Sequence, residues 1–497
     1  MSSFDLYVAG GIAAATIGGL YCVKATRNNT PPWAKASIWR TINEFGNNPV
    51  KFLLEQRKER GDIFRVNLLI FSITFVIGAK WNRWLLRETN EEDASFYEAV
   101  RDWHHGLIDV AHNFPGWQER ALKAMSAALN APIRLEKMSK YFLDVAVPTY
   151  QSWEAETSIP LFDFGSELVL RAVLTTLLGP TFVHEHGEEL VPIVKSFERD
   201  IGHPSPMFLP LWATGVGRRL LKTRKRWREL IEAEVVARLE DPARCKKAGD
   251  YLSYLLTLDD AERYMDCYGE HIITAVTASH ANSDGTFAWT LLHLLRNADL
   301  LAEYENEIRS HPPLEGRYPI KSMPFSEACL RETGRLYTNL VLLRWVYRDM
   351  VAPGGIMIPK GWLAASPLVT HRDPEIYPRP EEWDPHRFLS DDSATSSSTS
   401  YASKFRNHEF VQFGYGRHAC LGEKLTHCLL RETLWPTLID NYRVEVVDGV
   451  VAGEGLSDVG VEATFSEGLG TTFGEREVWI KVTKRDVPLS EEATSSV

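Results

Sequence analysis

The stretch QFGYGRHACLG, Gln412 to Gly422, decides how the rest of the chain is read. Cys420 sits behind an aromatic, Phe413, the glycines Gly414 and Gly416 and the basic pair Arg417 and His418, with Gly422 just after it. Glycines let a backbone approach a flat group closely and adopt φ values that side chains resist. A cysteine thiolate is a metal ligand, and it needs backbone N–H groups or positive charge nearby to stabilise its sulfur. Phe413 can shield that sulfur from water. The following EKLTHCLLRETLWPTL reads as a helix whose N-terminus is expected to face the anion. The stretch describes a cysteine suited to ligate a metal, on a backbone able to approach a flat group closely.

Around it, the composition excludes other classes. The 497 residues are 44 % hydrophobic and 24 % charged, an ordinary globular balance with ample length for a large core. A net charge of −11 argues against nucleic acid as a partner, since phosphate binding requires a basic footprint. The other cysteines (Cys22, Cys245, Cys267, Cys329 and Cys428) stand at long, irregular spacings without a CxxC. That pattern signals neither a zinc site nor a disulfide scaffold, and it fits a reducing compartment facing the cytosol.

The N-terminus reads as a membrane anchor. Leu6 to Val23 runs without a charge, which at 1.5 Å per residue spans about the thickness of a hydrocarbon core. The alternative is a cleaved signal peptide. Against it, Asp5 and no positive charge precede the run. Lys24 and Arg27 follow it, which puts the remainder of the chain in the cytosol. The expected organisation is an anchor at 1–23, a stiff Pro-containing linker at 24–47, one large folded unit at 48–485 and a disordered tail at 486–497.

Within the folded unit, helical periodicity dominates. NPVKFLLEQRKERG reads as a helix stopping at Gly61, and DIFRVNLLIFSITFVIG as a hairpin. Most segments from Val100 to Ala302 read as helices, whereas LRWVYRDM and GIMIPKGWLAASP read as short strands. SDDSATSSSTS, Ser390 to Ser400, is a low-complexity loop. The fold class is therefore mainly α with small β-sheets. GRRLLKTRKRWRE, Gly217 to Glu229, concentrates positive charge. It reads either as a solvated helix face or as contact with an anionic membrane or acidic partner.

Two elements upstream complete a pattern. LRETGRL holds Glu332 and Arg335 at i and i+3, on one side of a helix, where an ion pair can form. EEWDPHRFL holds Pro385-His386-Arg387-Phe388. Together with Phe413 to Gly422, these resemble the E-x-x-R, PERF and cysteine-loop signatures of the cytochrome P450 superfamily, in order and in spacing. The resemblance spans about residues 48 to 485. It implies the P450 fold and a haem b (iron protoporphyrin IX) whose axial thiolate comes from Cys420. It also implies that Glu332, Arg335 and Arg387 hold the haem-proximal core together. Phe413, Gly416 and Gly422 are then part of the haem-binding loop. The basic slot of the signature, more often arginine, is His418 here, so His418 or Arg417 is expected at a haem propionate. Arg344 occupies another slot that often binds one.

The oxygen-binding helix departs from the family pattern. Most members carry A/G-G-x-D/E-T, in which an acid and an alcohol relay protons. In HIITAVTASHANSDGTFAWTLLHLLRNADLL, the alignment that fits the family's continuation places Ala278, Ser279, His280, Ala281 and Asn282 on that element. Asn282 then takes the threonine slot, and Ala278 and Ser279 the small positions beside oxygen. A second register would use Asp284 and Thr286, but at i and i+2 these point to different faces. Asparagine there is similar to two groups of P450s, the 7α-hydroxylases and the prostacyclin synthases. Its amide can both donate and accept a hydrogen bond.

The resemblance implies a monooxygenase anchored in the endoplasmic reticulum membrane, with O2 and a lipophilic small molecule as substrates. The chain shows no Rossmann fingerprint, P-loop or flavin-like extension, so electrons are expected from an NADPH–P450 reductase. A reductase-independent isomerase or dehydratase and a silent haem-binding protein are the other readings. Substrate contacts are expected in Ala94 to Trp117, HPSPMFLPLW, Val276 to Asn282, Asn339 to Leu343 and TFSEGLGTTF. Their apolar, aromatic character suits a terpenoid, sterol-like or alkaloid body, and the chain resembles P450s of filamentous-fungal secondary-metabolite pathways, which implies specialised biosynthesis.

Overall fold

The structure, a computed structural model, describes residues 29–68, 71–103, 107, 114–203, 205–206, 209–337, 341–389, 401–447, 463–464, 473–474 and 477–492. Helices make up most of it, with small sheets at its edges. The helix Pro49–Arg60 shows how local chemistry sets the elements. Asn48 caps it by accepting from the Lys51 N–H, proline opens its first turn, and Gly61 at φ 83° ends it. Arg57, Lys58 and Arg60 sit in its last turn, where cations favour the helix dipole.

Ile63–Asn67 and Ser72–Val76 then pair antiparallel as the alternating pattern requires. They begin a five-stranded sheet that continues through Gly361–Ala365 and Leu342–Val346 to Ala94–Ser95. A three-stranded sheet joins Glu156–Pro160, Trp479–Lys484 and Tyr442–Val446. The axis of the molecule is the helix Met265–Arg296, 32 residues and about 48 Å long. Its sequence is apolar or small on nearly every side because helices Leu161–Leu178, Pro180–Gly202, Gly215–Glu240 and Pro324–Tyr337 pack around it.

Two segments are more ordered than their composition indicated. In the expected linker, the prolines keep the chain extended, but it docks on the sheet edge. Ala34 donates to Arg65 O at 2.7 Å, and the Arg65 guanidinium lies 4.1 Å over the Trp33 ring. Ser37 then caps a helix over Ile38–Asn47. In the expected tail, Leu489 is buried and Ser490 bonds both carboxylate oxygens of Asp440, at 2.7 and 2.9 Å.

The basic segment resolves into paired charges. Arg219 meets Asp200 at 2.7 Å, Arg224 meets Glu270 at 2.6 Å, and Arg226 and Arg228 meet Glu189 and Glu232 at 2.5 Å. Most of its arginines therefore face carboxylates of this chain. The run Leu6–Val23 and the loop Ser390–Ser400 lie outside the described residues. Among the described residues, no helix is long and apolar enough to cross a membrane.

Candidate active site: the cysteine loop and the central helix

The cysteine loop is held by its own backbone. Gly414 N–H donates to Val411 O at 2.9 Å and Cys420 N–H to Phe413 O at 2.8 Å. Gly414 and Gly416 adopt φ of 69° and 70°, the left-handed region that glycine tolerates. At Gly416 a Cβ would lie 2.3 Å from the carbonyl oxygen of Leu86, so the loop fits its neighbour only without a side chain. Gln412 anchors the loop to the helix Pro324–Tyr337, filling the space above Gly334.

Cys420 is exposed to solvent, although many protein atoms surround its thiol. Burial raises the thiol above its ordinary value, while the N–H groups of Gly422 and Glu423 pull it back by bonding the sulfur. Phe413 is half-buried, with the Arg331 guanidinium 5.4 Å from its ring centre. The helix after the cysteine runs Glu423–His427, passes through a π-helical turn at Cys428–Leu434 and continues as Trp435–Asn441.

Glu332, Arg335 and Arg387 come together beneath this loop. Arg335 forks onto Glu332 at 2.7 and 2.8 Å, and Arg387 Nε reaches Glu332 Oε1 at 3.3 Å. Arg335 also donates to the carbonyls of His371, Pro380 and Glu382, at 2.9, 2.6 and 3.0 Å. Burial pushes the Glu332 carboxyl up, and Arg335, the Asp384 N–H and Arg387 oppose it. With its hydrogen bonds filled, this buried cluster clamps the helix to the segment carrying Arg387.

The basic residues divide in a way the motif did not show. His418 is committed within the protein, its Nε2 2.8 Å from Glu91 Oε2 and its ring 4.8 Å from that of Phe96. Burial works against the Glu91 charge, but hydrogen bonds from His418 and Ser95 outweigh it and hold that carboxyl low. Glu91 has no motif of its own and lies 327 positions from His418, so nothing in the chain marks it as a partner. Arg417 is exposed. Arg344 is buried and faces no carboxylate at ion-pair distance among the described residues. Its Nη1 donates to Leu343 O at 2.8 Å and its guanidinium lies 5.3 Å from the Phe96 ring centre. Burial pulls Arg344 down to about 10, against the raising influence of Glu91. A buried cation without an anion is costly, and the propionates of a haem would supply one.

On the central helix, every residue from Ala275 to Leu292 is buried except Ala278, Ser279 and Asn282. These three therefore form an open strip on an otherwise closed helix. Asn282 Nδ2 donates to Ala278 O at 3.1 Å. The alternative pair does not join the strip. Thr286 bonds Asn282 O at 2.6 Å, and Asp284 turns to the far face, 3.5 Å from His280. There His280 also meets Glu198 at 2.6 Å and Ser166 O at 2.9 Å. Burial opposes its charge, but Glu198 and Asp284 outweigh it and hold His280 at about 9. Burial raises Asp284 to about 6.

Much of the expected substrate contact region lies outside the described residues, including 104–106, 108–113, 204, 207–208, 339–340 and 465–472.

An accessible cysteine on a glycine-shaped loop, an anion-seeking buried arginine and an open helical strip are the features a haem-thiolate enzyme requires. The cytochrome P450 family profile matches residues 31–453, and the chain belongs to that family. Haem b with the Cys420 thiolate as axial ligand follows from that membership. The chain is 29 % identical over 402 residues to the cytochrome P450 monooxygenase pyvB of Aspergillus violaceofuscus, covering 80 % of this chain and 79 % of that one. It is 28 % identical over 439 residues to the monooxygenase pynD of Aspergillus niger, covering 85 % and 88 %. The retinoic acid-bound structure of cyanobacterial CYP120A1 shares the fold, with a TM-score of 0.72 at 19 % identity, covering 92 % of this chain and 99 % of that one.

Proposed function

We propose that the protein is a membrane-anchored monooxygenase that inserts one atom of O2 into a lipophilic small molecule. The substrate class is a terpenoid, sterol-like or alkaloid body of secondary metabolism, and the electrons come from NADPH through a separate P450 reductase. The observation that carries this reading is the open strip of Ala278, Ser279 and Asn282 on a helix closed everywhere else along its middle. The monooxygenase names of the Aspergillus relatives support it.

When bound, the haem supplies oxygen activation, assisted by electron density from its thiolate. The chain's own residues set the conditions. Cys420 presents the sulfur, and the N–H groups of Gly422 and Glu423 temper its charge. Arg344 and the exposed Arg417 offer positive charge to the propionates, while His418 holds Glu91 and Phe96 in place. Ala278 and Ser279 keep the distal wall low, and Asn282 places an amide where it can orient water. Leu6–Val23, followed by Lys24 and Arg27, anchors the chain in the endoplasmic reticulum membrane with the haem domain in the cytosol.

Reconstituting the full chain with NADPH–P450 reductase and a substrate found by spectral screening tests the reading. NADPH and O2 consumption in proportion to an oxygenated product is expected. Product formed without NADPH would favour a peroxide rearrangement, the reading to which Asn282 in the threonine slot lends weight.

A further inference from the structure

Beyond the open strip, the central helix carries aromatic residues that oxygen insertion does not use. Trp289 lies seven positions after Asn282, on the same face and about 10 Å further along the axis. Its indole is fully buried and lies flat against Tyr337, with centroids 4.3 Å apart and planes within 3°. The Tyr337 hydroxyl meets His293 Nε2 at 2.8 Å. The His293 ring in turn lies flat over Trp383, at 4.9 Å and 3°. Trp383 is half-buried, and its indole N–H donates to Thr333 Oγ1 at 3.0 Å. Stacked or hydrogen-bonded rings therefore run without a break from Trp289, on the face of the central helix that carries Asn282, to Trp383, a side chain that reaches solvent.

Filling a core does not require this set, because burying a phenol and an imidazole costs free energy unless each finds a partner. What the set offers is redox chemistry. Tryptophan and tyrosine are the side chains that give up one electron most readily, and an oxidised phenol sheds its proton at once. His293 stands ready to take it. Burial and Arg296 push its pKa down to about 3, so the imidazole is neutral. With its own proton on Nδ1, its Nε2 accepts from the hydroxyl.

We propose that Trp289, Tyr337, His293 and Trp383 form an escape route for oxidising equivalents, which returns an over-oxidised haem to its resting state when no substrate is in place. The oxidant is an organic hydroperoxide cleaved at the haem. One electron leaves Tyr337 through Trp289 toward the haem, and the phenolic proton moves to His293 Nε2, leaving a neutral tyrosyl radical. A solvent-borne reductant of the ascorbate or thiol class then delivers an electron at Trp383, and the proton returns from Nε2 to the phenolic oxygen. Two such passes deliver two electrons, which with two protons from solvent break the O–O bond of the hydroperoxide to give its alcohol and one water.

The route rests on haem being bound, so a reduced, CO-bound spectrum first verifies loading of each full-length holoprotein. Substrate-free protein is then mixed with cumene hydroperoxide, frozen within milliseconds and read by electron paramagnetic resonance. The unmutated protein is expected to give a radical signal that narrows with ring-deuterated tyrosine, a check that needs no variant. Tyr337→Phe keeps the ring, so an unchanged melting temperature shows that packing survives. In that variant the signal is expected to vanish, haem bleaching to run several-fold faster and ascorbate to lose its protection. Trp383→Leu is expected to keep the radical and slow its decay with ascorbate. No tyrosyl signal in the unmutated protein, or a signal and bleaching rate unchanged in Tyr337→Phe, overturns the proposal.

Discussion

Gly416 and Arg344 show how single residues prepare the haem site. Gly416 has φ 70° and a carbonyl 2.3 Å from where a Cβ would stand. Gly416→Ala is therefore expected to cost about 1–3 kcal/mol in strain and to displace the cysteine loop. Its haem content on purification should fall well below that of the unmutated chain, and equal content would contradict the role of this close approach. Arg344 carries the opposite logic. Because no described carboxylate pairs with it, Arg344→Leu removes a costly buried charge and should not destabilise the protein itself. Haem should nevertheless pass several-fold faster to an acceptor protein, since a propionate has lost its partner. An unchanged transfer rate would mean that Arg344 does not meet the cofactor.

At the scale of elements, the helix Pro324–Tyr337 and the central helix are each fixed by buried charge. Glu332→Gln leaves Arg335 buried without its anion and is expected to cost about 3–5 kcal/mol in chemical denaturation. A loss below about 1 kcal/mol, the scale of an exposed pair, would show that the cluster is not the clamp described. On the far face of the central helix, His280 has its pKa raised from 6.5 to about 9. A raised pKa stabilises the fold fully below 6.5, and that stability is lost as pH rises through 9. Melting temperatures should therefore fall from pH 7 to pH 9 by more in the unmutated chain than in His280→Gln, and parallel curves would contradict this. These elements also show what could be read from the chain alone. The cysteine loop and the Glu332–Arg335 pair were legible because their chemistry is written in consecutive or i,i+3 residues. Arg387 was legible only through family resemblance. Glu91 beneath His418, Gln412 over Gly334 and the docking of Trp33 on Arg65 were not, because each joins residues far apart in sequence. The basic run Gly217–Glu229 was ambiguous for the same reason: its carboxylate partners Asp200, Glu189 and Glu270 lie on other helices.

Over the whole molecule, the described residues form a closed helical core that leaves Cys420 and the strip of Ala278, Ser279 and Asn282 open. A large core around one long helix, with the Cys420 loop anchored through Gln412 on the helix that carries Glu332, sets the position of the Cys420 sulfur. The reduced, CO-bound absorption spectrum of the full chain, recorded beside that of Cys420→Ser, is the measurement that bears on this most directly. The unmutated protein should show the thiolate-shifted Soret band, and Cys420→Ser should lose it. No shifted band in the unmutated protein, or an unaltered band in Cys420→Ser, would show that Cys420 is not the iron ligand.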